Sequence, residues 1–176
     1  MTNQSILIAC IGNIFLGDDG FGVEVARRMA ARPPVPGVIL KDFGIRGLDL
    51  TYALLESYEL VILVDACPRG GEPGSVYLIE PDLAVLDPPL DPAAVRLEAH
   101  SMNPMEILRV VKSMGGPPNR ILLVGCEPLD LGSDEEGKLG LSDPLMTAVD
   151  TAVQMIDTIV LETLTGAPLE AISQTH

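Results

Sequence analysis

Residues 11–27 of the 176-residue chain read IGNIFLGDDGFGVEVAR, a glycine-containing stretch that follows a predicted strand and runs into a predicted helix. The strand is residues 5–11 (SILIACI), a short continuous apolar run typical of a strand buried on both faces. Beyond the glycines, apolar residues recur at helical spacing. This order indicates an α/β unit, but its turn carries two adjacent carboxylates, Asp18 and Asp19.

The glycines of this turn do not form a nucleotide-binding loop. A dinucleotide fingerprint requires G-x-G-x-x-G, whereas Gly12 is followed by no glycine before Gly17, and the stretch lacks a Walker lysine. Two carboxylates would also repel a pyrophosphate. Acids at a helix N-terminus are favoured by the helix dipole, so we expect one of the pair to cap the helix, which leaves the other without a structural role.

The rest of the chain continues the alternation of strands and helices. Further strands are predicted at 38–43, 60–67, 75–81 and 120–126, and further helices at 48–55, at 103–116 and from about Pro144 onward. The strand at 75–81 follows its predecessor too closely for a helical crossover, which favours antiparallel pairing. Asn103 is suited to cap the helix that follows it. The pattern predicts a mostly parallel, twisted five-stranded sheet with helices on both faces.

We therefore predict a single three-layer α/β domain over residues 1–164. Residues 165–176 are expected to be a flexible tail. Residues 82–98 are rich in proline and acidic residues, which favours a loop.

Composition limits the possible partners. With 11 basic and 25 acidic residues the net charge is −14, so nucleic acid and anionic membranes are not expected as partners. The N-terminus lacks the pattern of a signal peptide, and no apolar run reaches the ~20 residues of a membrane span. The three cysteines form no C-x-x-C pair. These features predict a cytoplasmic location.

Three polar residues are expected at one edge of the sheet, because sites in open α/β sheets form outside the carboxyl ends of the strands. Asp19 follows the first strand, Asp65 ends the apolar run of the third, and His100 precedes the helix at 103–116. Two carboxylates and an imidazole suit nickel or zinc. The residues alone leave other interpretations open: Asp65 could be satisfied by backbone amides, and His100 could be an ordinary loop histidine. Cys67 could add a soft ligand.

Several stretches together resemble the hydrogenase maturation endopeptidases. Residues 11–26 resemble the family's signature, in which G-N and a short apolar stretch precede an acidic pair, G-x-G and a helix. VDAC, HSMNPMEIL, VGCEP and GLSD then match, in order, the strand-ending aspartate, the histidine before a helix, the last strand and the start of the last helix. The resemblance covers roughly residues 5–160.

This resemblance implies an activity and a site. Family members cut a C-terminal extension from the large-subunit precursor of a nickel–iron hydrogenase after nickel has been inserted. Three family positions bind the metal, and they map onto Asp19, Asp65 and His100. Nickel would be supplied by the precursor, and Asp18 would support the turn.

The chain departs from the family pattern at two places. Many members have glutamate where this chain has Asp19. Many also have Gly-Thr-x-Gly after the second strand, where residues 44–47 read GIRG. We hypothesise that Gly44, Arg46 and Gly47 line the substrate cleft, with Arg46 holding a carboxylate or carbonyl of the precursor. A solvated arginine is the alternative.

The chemistry is left open by the sequence. Either the substrate's nickel polarises the scissile carbonyl or activates a water, or a carboxylate, Asp19 or Asp18, acts as general base in an aspartyl-type reaction. Two rival functions are a nickel-binding chaperone or sensor without hydrolysis, and a metal-dependent hydrolase of small molecules.

Overall fold

A five-stranded sheet organises the chain. The computed structural model describes residues 5–86, 103–116, 120–133 and 135–166. Within these ranges the strands are β1 (Ile6–Ile11), β2 (Val38–Gly44), β3 (Leu60–Ala66), β4 (Val76–Ile79) and β5 (Ile121–Cys126). Their spatial order is β2-β1-β3-β5-β4, with β4 antiparallel to β5 and the other pairs parallel. Both the mostly parallel sheet and the antiparallel pairing of the fourth strand are confirmed.

Helices cover both faces of this sheet. They are α1 (Phe21–Ala30), α2 (Gly47–Ala53), α3 (Pro104–Met114) and α4 (Asp143–Thr165). One apolar core joins the sheet to α1 and α4, and a second core joins its other face to α2 and α3. β1, β3 and β5 are buried along nearly their whole length, because both of their faces are covered. The predicted three-layer α/β class is confirmed.

Helix ends follow local sequence signals. The side chain of Asn103 accepts a hydrogen bond from the N–H of Met105 at 3.0 Å, so the predicted cap of α3 is confirmed. The same helix ends at Gly115, which has φ +139°. Most of the predicted loop, residues 87–98, and residues 167–176 of the predicted tail lie outside the described residues.

Helix α4 is long and apolar enough, by length and composition alone, to cross a membrane. Its sequence is not a continuous apolar run, because polar residues interrupt the apolar stripe. Eight of its residues, from Leu145 to Val160, are buried. They pack in the core that α4 shares with α1 and the sheet. Core helices commonly have this composition.

The order of the strands creates a crevice between β1 and β3. From β1 the chain moves outward to β2, and from β3 it moves the opposite way, towards β5 and β4. The carboxyl ends of β1 and β3 therefore flank the point where the winding direction changes, which is where open α/β sheets bind their ligands. Asp19 follows β1 and Asp65 lies in β3, so the fold brings both to this crevice.

Close packing of α1 against the sheet depends on Gly22. A Cβ at this position would lie 2.2 Å from the carbonyl oxygen of Ile11 and 2.5 Å from that of Val64. Both oxygens belong to central strands, so neither can move without disturbing the sheet. The absence of a side chain at Gly22 thus sets how closely α1 approaches the ends of β1 and β3.

We predict that Gly22→Ala lowers the free energy of unfolding by at least about 2 kcal/mol, because the methyl group forces α1 away from two strands. Urea unfolding followed by circular dichroism would measure the loss. Gly20→Ala is the matched control, since its Cβ would come no closer than 3.3 Å to another atom, the Cα of Ile14. Equal losses in the two variants would contradict the explanation.

Candidate active site

The two acids of the opening stretch point to different parts of the molecule. Both lie in a 3-10 turn, Gly17–Gly20, between β1 and α1. Asp18 is 1% exposed, whereas Asp19 is half-buried. The expectation that one of them caps α1 is wrong, because the N-cap residue is Gly20 and no side chain caps this end.

Asp18 is a structural carboxylate. Its Oδ2 accepts hydrogen bonds from the N–H groups of Leu129 and Asp130, each at 2.9 Å, and from the hydroxyl of Ser142 at 2.9 Å. Its Oδ1 accepts the N–H of Ser142 at 2.7 Å. Ser142 is the N-cap residue of α4. Asp18 therefore joins the turn after β1 to the loop after β5 and to the start of α4.

Asp19 faces the crevice side of the turn. Its Oδ2 accepts the N–H of Asn13 at 2.9 Å, which fixes the carboxylate close to the end of β1. Burial raises the pKa of Asp19 above its ordinary value, and the hydrogen bond from Asn13 offsets only part of that rise. Asp19 is thus a positioned carboxylate that binds a proton more readily than a solvated aspartate does.

Asp65 is the second acid of the crevice. It is 8% exposed and pairs in register with Gly125 of β5. Burial raises its pKa well above the ordinary aspartate value, the negative charge of Asp19 raises it further, and the N–H of Ala66 lowers it in part. The two acids are close enough to repel one another. A proton or a cation bound between them would relieve that repulsion.

The described residues do not by themselves form a three-ligand metal site. Within residues 5–86, 103–116, 120–133 and 135–166, no three histidine, cysteine, aspartate or glutamate side chains are grouped to hold a metal ion. Asp19 and Asp65 provide two carboxylates, whose hard oxygen donors and electrostatic repulsion fit a divalent cation. The third predicted ligand, His100, lies outside the described residues.

Arg46 lies at the same edge of the sheet, between β2 and α2. Its guanidinium donates to the carbonyl oxygen of Phe43 at 3.1 Å and to that of Asp42. Another nitrogen, Nη1, lies 3.8 Å from a carboxylate oxygen of Asp49. These contacts place the side chain over the end of the edge strand β2. It is 57% exposed, so part of the guanidinium group faces solvent.

The two glycines beside Arg46 shape the turn between β2 and α2. Gly44 has φ +51°, a left-handed conformation that favours glycine. Its carbonyl oxygen accepts the N–H of Gly12 at 3.0 Å, which ties the end of β2 to the start of the turn that carries Asp19. Gly47 is the first residue of α2 and is buried.

Sequence reasoning missed Glu127 as a site-shaping residue. This buried acid accepts the N–H groups of Arg69 at 2.8 Å and Gly70 at 3.1 Å, and the hydroxyl of Tyr77 at 2.9 Å. Burial acts to raise its pKa, but these bonds and one from Gly71 bring the pKa below its ordinary value. Glu127 thus fixes the loop that follows β3 and Asp65. Its position directly after an apolar strand, as with Asp65, was the available signal.

A sequence model of the hydrogenase maturation proteases (HycI) matches residues 23–159, well over half of the chain. The chain belongs to this family. It is 33% identical over 157 residues to hydrogenase expression/formation protein HupD of Bradyrhizobium diazoefficiens, covering 88% of this chain and 79% of the relative. HupD of Rhodobacter capsulatus is 31% identical over 169 residues, covering 94% and 78%.

Solved structures of hydrogenase maturation proteases share the fold. The crystal structure of HycI from Thermococcus kodakarensis superposes with a TM-score of 0.63 at 28% identity, covering 90% of this chain and 93% of that one. The Escherichia coli endopeptidase HybD gives 0.69 over 90% and 93%, and at 22% identity it supports the fold alone. The predicted family and the predicted peptidase activity are confirmed: the chain is a hydrogenase maturation peptidase.

We predict a pH-dependent effect of Asp65→Asn on stability, measured with a metal chelator present. The raised pKa means that the folded protein still holds a proton at Asp65 when the unfolded chain has lost it. Wild-type stability therefore falls as pH rises from the ordinary aspartate range, about 4, through the raised pKa. The variant lacks this loss, so its stability relative to wild type should increase from pH 4 to pH 7.5.

Asp130→Asn is the control for this measurement. Lys138 donates a hydrogen bond to Asp130 and lowers the pKa of that carboxyl, so its contribution is present above the ordinary aspartate range and is lost as pH falls. The trend should have the opposite sign. Urea midpoints at four or more pH values would measure both. Parallel trends would contradict the raised pKa of Asp65.

Proposed function

We propose that this peptidase removes the C-terminal extension of the large-subunit precursor of a nickel–iron hydrogenase after nickel has been inserted. Removal frees the new C-terminus to fold over the metal centre. The observation that carries this proposal is the pair Asp19 and Asp65, two partly or fully buried carboxylates held at the crevice between β1 and β3. Membership in the family supplies the class of substrate.

The acid pair supports recognition of nickel carried by the precursor. Burial and mutual repulsion disfavour two ionised carboxylates there, and a divalent cation offsets both effects. On this proposal Asp19, Asp65 and His100 contact the substrate's nickel, while cysteine thiolates of the precursor complete its ligand set. A precursor without nickel would leave the repulsion in place and bind weakly. Testing for the metal and cutting the chain would then be one event.

The contacts of the acids narrow the choice of a catalytic base. The Asp18 carboxylate accepts four hydrogen bonds from the loop after β5 and the start of α4, and the residue is 1% exposed. Among the described residues, the Asp19 carboxylate accepts one hydrogen bond, from the N–H of Asn13, and its pKa is raised, which suits a role in proton transfer. We therefore assign the base of an aspartyl-type route to Asp19. In the metal-assisted route the substrate's nickel would polarise the scissile carbonyl.

The cleft of the proposed enzyme extends to the turn after β2. Arg46 retains guanidinium N–H groups beyond those bonded to Asp42 and Phe43. We propose that these groups bind a carboxylate or carbonyl oxygen of the precursor. The compartment would be the cytoplasm, where the free thiols of Cys10, Cys67 and Cys126 stay reduced.

The decisive experiment is the intact mass of the partner hydrogenase's large subunit, coexpressed with this protein in nickel-replete and nickel-starved cells. We expect loss of a C-terminal peptide only with nickel and wild-type protein. Asp19→Asn and His100→Ala should abolish the shortening, because each removes a proposed nickel contact. Asp143→Asn, which alters an exposed carboxylate at the start of α4, is the matched control and should process normally.

Two results would count against the proposal. Shortening in nickel-starved cells at the wild-type rate would remove nickel as the recognition element. An unshortened subunit in nickel-replete cells, with this protein folded and present, would reject cleavage of that precursor.

Arg46→Ala should slow shortening in the same assay by about tenfold, as expected for loss of a charge-assisted hydrogen bond to substrate. Arg46→Lys keeps the charge but loses the fork, so it should restore only part of the rate. Processing by Arg46→Ala at the wild-type rate would leave Arg46 with only its role at the end of β2.

A further inference from the structure

A groove of about 420 Å³ flanks the proposed active site on the face of the sheet that carries α1 and α4. The turn after β1, the first turns of α1, the start of α4 and the loop before it form its walls. The lining residues are Ile14, Gly17, Gly20, Val23, Glu24, Arg27, Leu139, Gly140, Leu141 and Met146. Most of them are apolar or glycine.

The rim of this groove exposes large apolar side chains. Leu139 is 73% exposed, Met146 44% and Ile14 41%, and the neighbouring Phe15 is 61% exposed. Single exposed apolar residues are ordinary, but a contiguous group around a concavity indicates a binding surface.

The walls are joined by backbone hydrogen bonds. Gly17 donates to the carbonyl oxygen of Lys138 at 2.7 Å, and Lys138 donates to that of Phe15 at 2.7 Å. Asp18 donates its N–H to the carbonyl oxygen of Asp130 at 2.9 Å and binds Ser142 through its carboxylate. The loops on the two sides therefore hold one another in place, and the groove is formed before a ligand arrives.

The groove presents little net charge, although the whole chain carries −14. Glu24 and Arg27 are the charged residues among those lining it, and they form a salt bridge of 2.7 Å with each other. Nearby, Lys138 pairs with Asp130. Such a surface complements an uncharged apolar segment, and it would leave a charged segment desolvated without a partner.

The groove is separate from the two acids of the proposed nickel contact. Neither Asp19 nor Asp65 lines it. Gly17 and Gly20, which lie on either side of Asp19 in the same turn, do line it. The carboxylate of Asp19 accepts the N–H of Asn13 and does not line the groove. A polypeptide whose scissile bond lies at Asp19 would therefore reach the groove with a different part of its surface.

We infer that this groove is a docking site for an apolar surface segment of the precursor, remote from the scissile bond. The inference rests on the proposed function, which supplies a folded protein as substrate and brings it to the adjoining crevice. An endopeptidase that must select one protein gains discrimination from such a second contact, because apolar burial there adds affinity without altering the reacting groups.

The test compares Met146→Glu with Met114→Glu. The two methionines are 44% and 47% exposed, and both lie on helices, but Met114 is at the end of α3, on the other face of the sheet. Glutamate suits the first turns of α4 better than the C-terminal end of α3. Any loss caused by instability should therefore be larger in the control.

Binding and processing of the nickel-loaded, full-length precursor would both be measured, the first by calorimetry and the second by intact mass. Met146→Glu should raise Kd and KM at least about tenfold, because an unpaired charge is desolvated in the complex, and should leave kcat near its wild-type value. Met114→Glu should match wild type. Met146→Leu, which keeps the apolar surface, should restore binding.

The outcomes separate the two proposals. Binding that Met146→Glu weakens, without any cleavage by wild type, would support the docking site and reject the proposed reaction. Equal Kd values for Met146→Glu, Met114→Glu and wild type would overturn the docking site, whether or not the precursor is cut. A change in sedimentation of the isolated protein, with precursor binding unaltered, would assign the groove to a second copy of the chain and also overturn it.

Discussion

The carboxylate of Asp18 determines where the neighbouring acid lies. Four hydrogen bonds hold it against two segments, at 129–130 and at Ser142, that are 111 to 124 residues away in the sequence. With Asp18 directed into the protein, the next residue of the tight 3-10 turn is directed towards Asn13 and the crevice. One acid of the pair thus carries the structural work and leaves the other available for chemistry.

The glycines set how near this turn comes to the sheet. Gly22 lets α1 pack directly on the carbonyl groups of Ile11 and Val64, and a Cβ at Gly12 would lie 2.1 Å from the carbonyl oxygen of Asp19. Close packing brings Asp19 near enough to Asp65 for their charges to interact. Sheet order, turn and helix contact therefore combine to produce one electrostatic feature, a pair of acids that repel each other.

Much of the fold could be predicted from local patterns. The strands are continuous apolar runs with distinct ends, Asn103 gives the start of α3, and the short connection before β4 gives its direction. Strand order could not be derived in this way, since it depends on which covered faces meet in three dimensions.

The site was only partly predictable. Asp65 could be predicted as a site residue because a carboxylate in an apolar strand needs a partner. The same argument applies to Glu127, which directly follows β5, but the sequence prediction did not include it. The partners of Asp18 lie too far along the chain for any local rule. For this reason the expectation of a helix cap failed: the side chain had donors elsewhere that sequence spacing does not reveal.

The repulsion between Asp19 and Asp65 has a consequence for ion exchange. Because both carboxyls have raised pKa values, the crevice takes up protons more readily than solvated aspartates would, and a cation that enters must displace any proton bound there. In the proposed contact with nickel, protons and the cation would compete for the same position, so the apparent affinity for the metal would rise with pH. The pH of the surroundings would then decide whether a proton or the cation occupies the crevice, with the same ligands present in both cases.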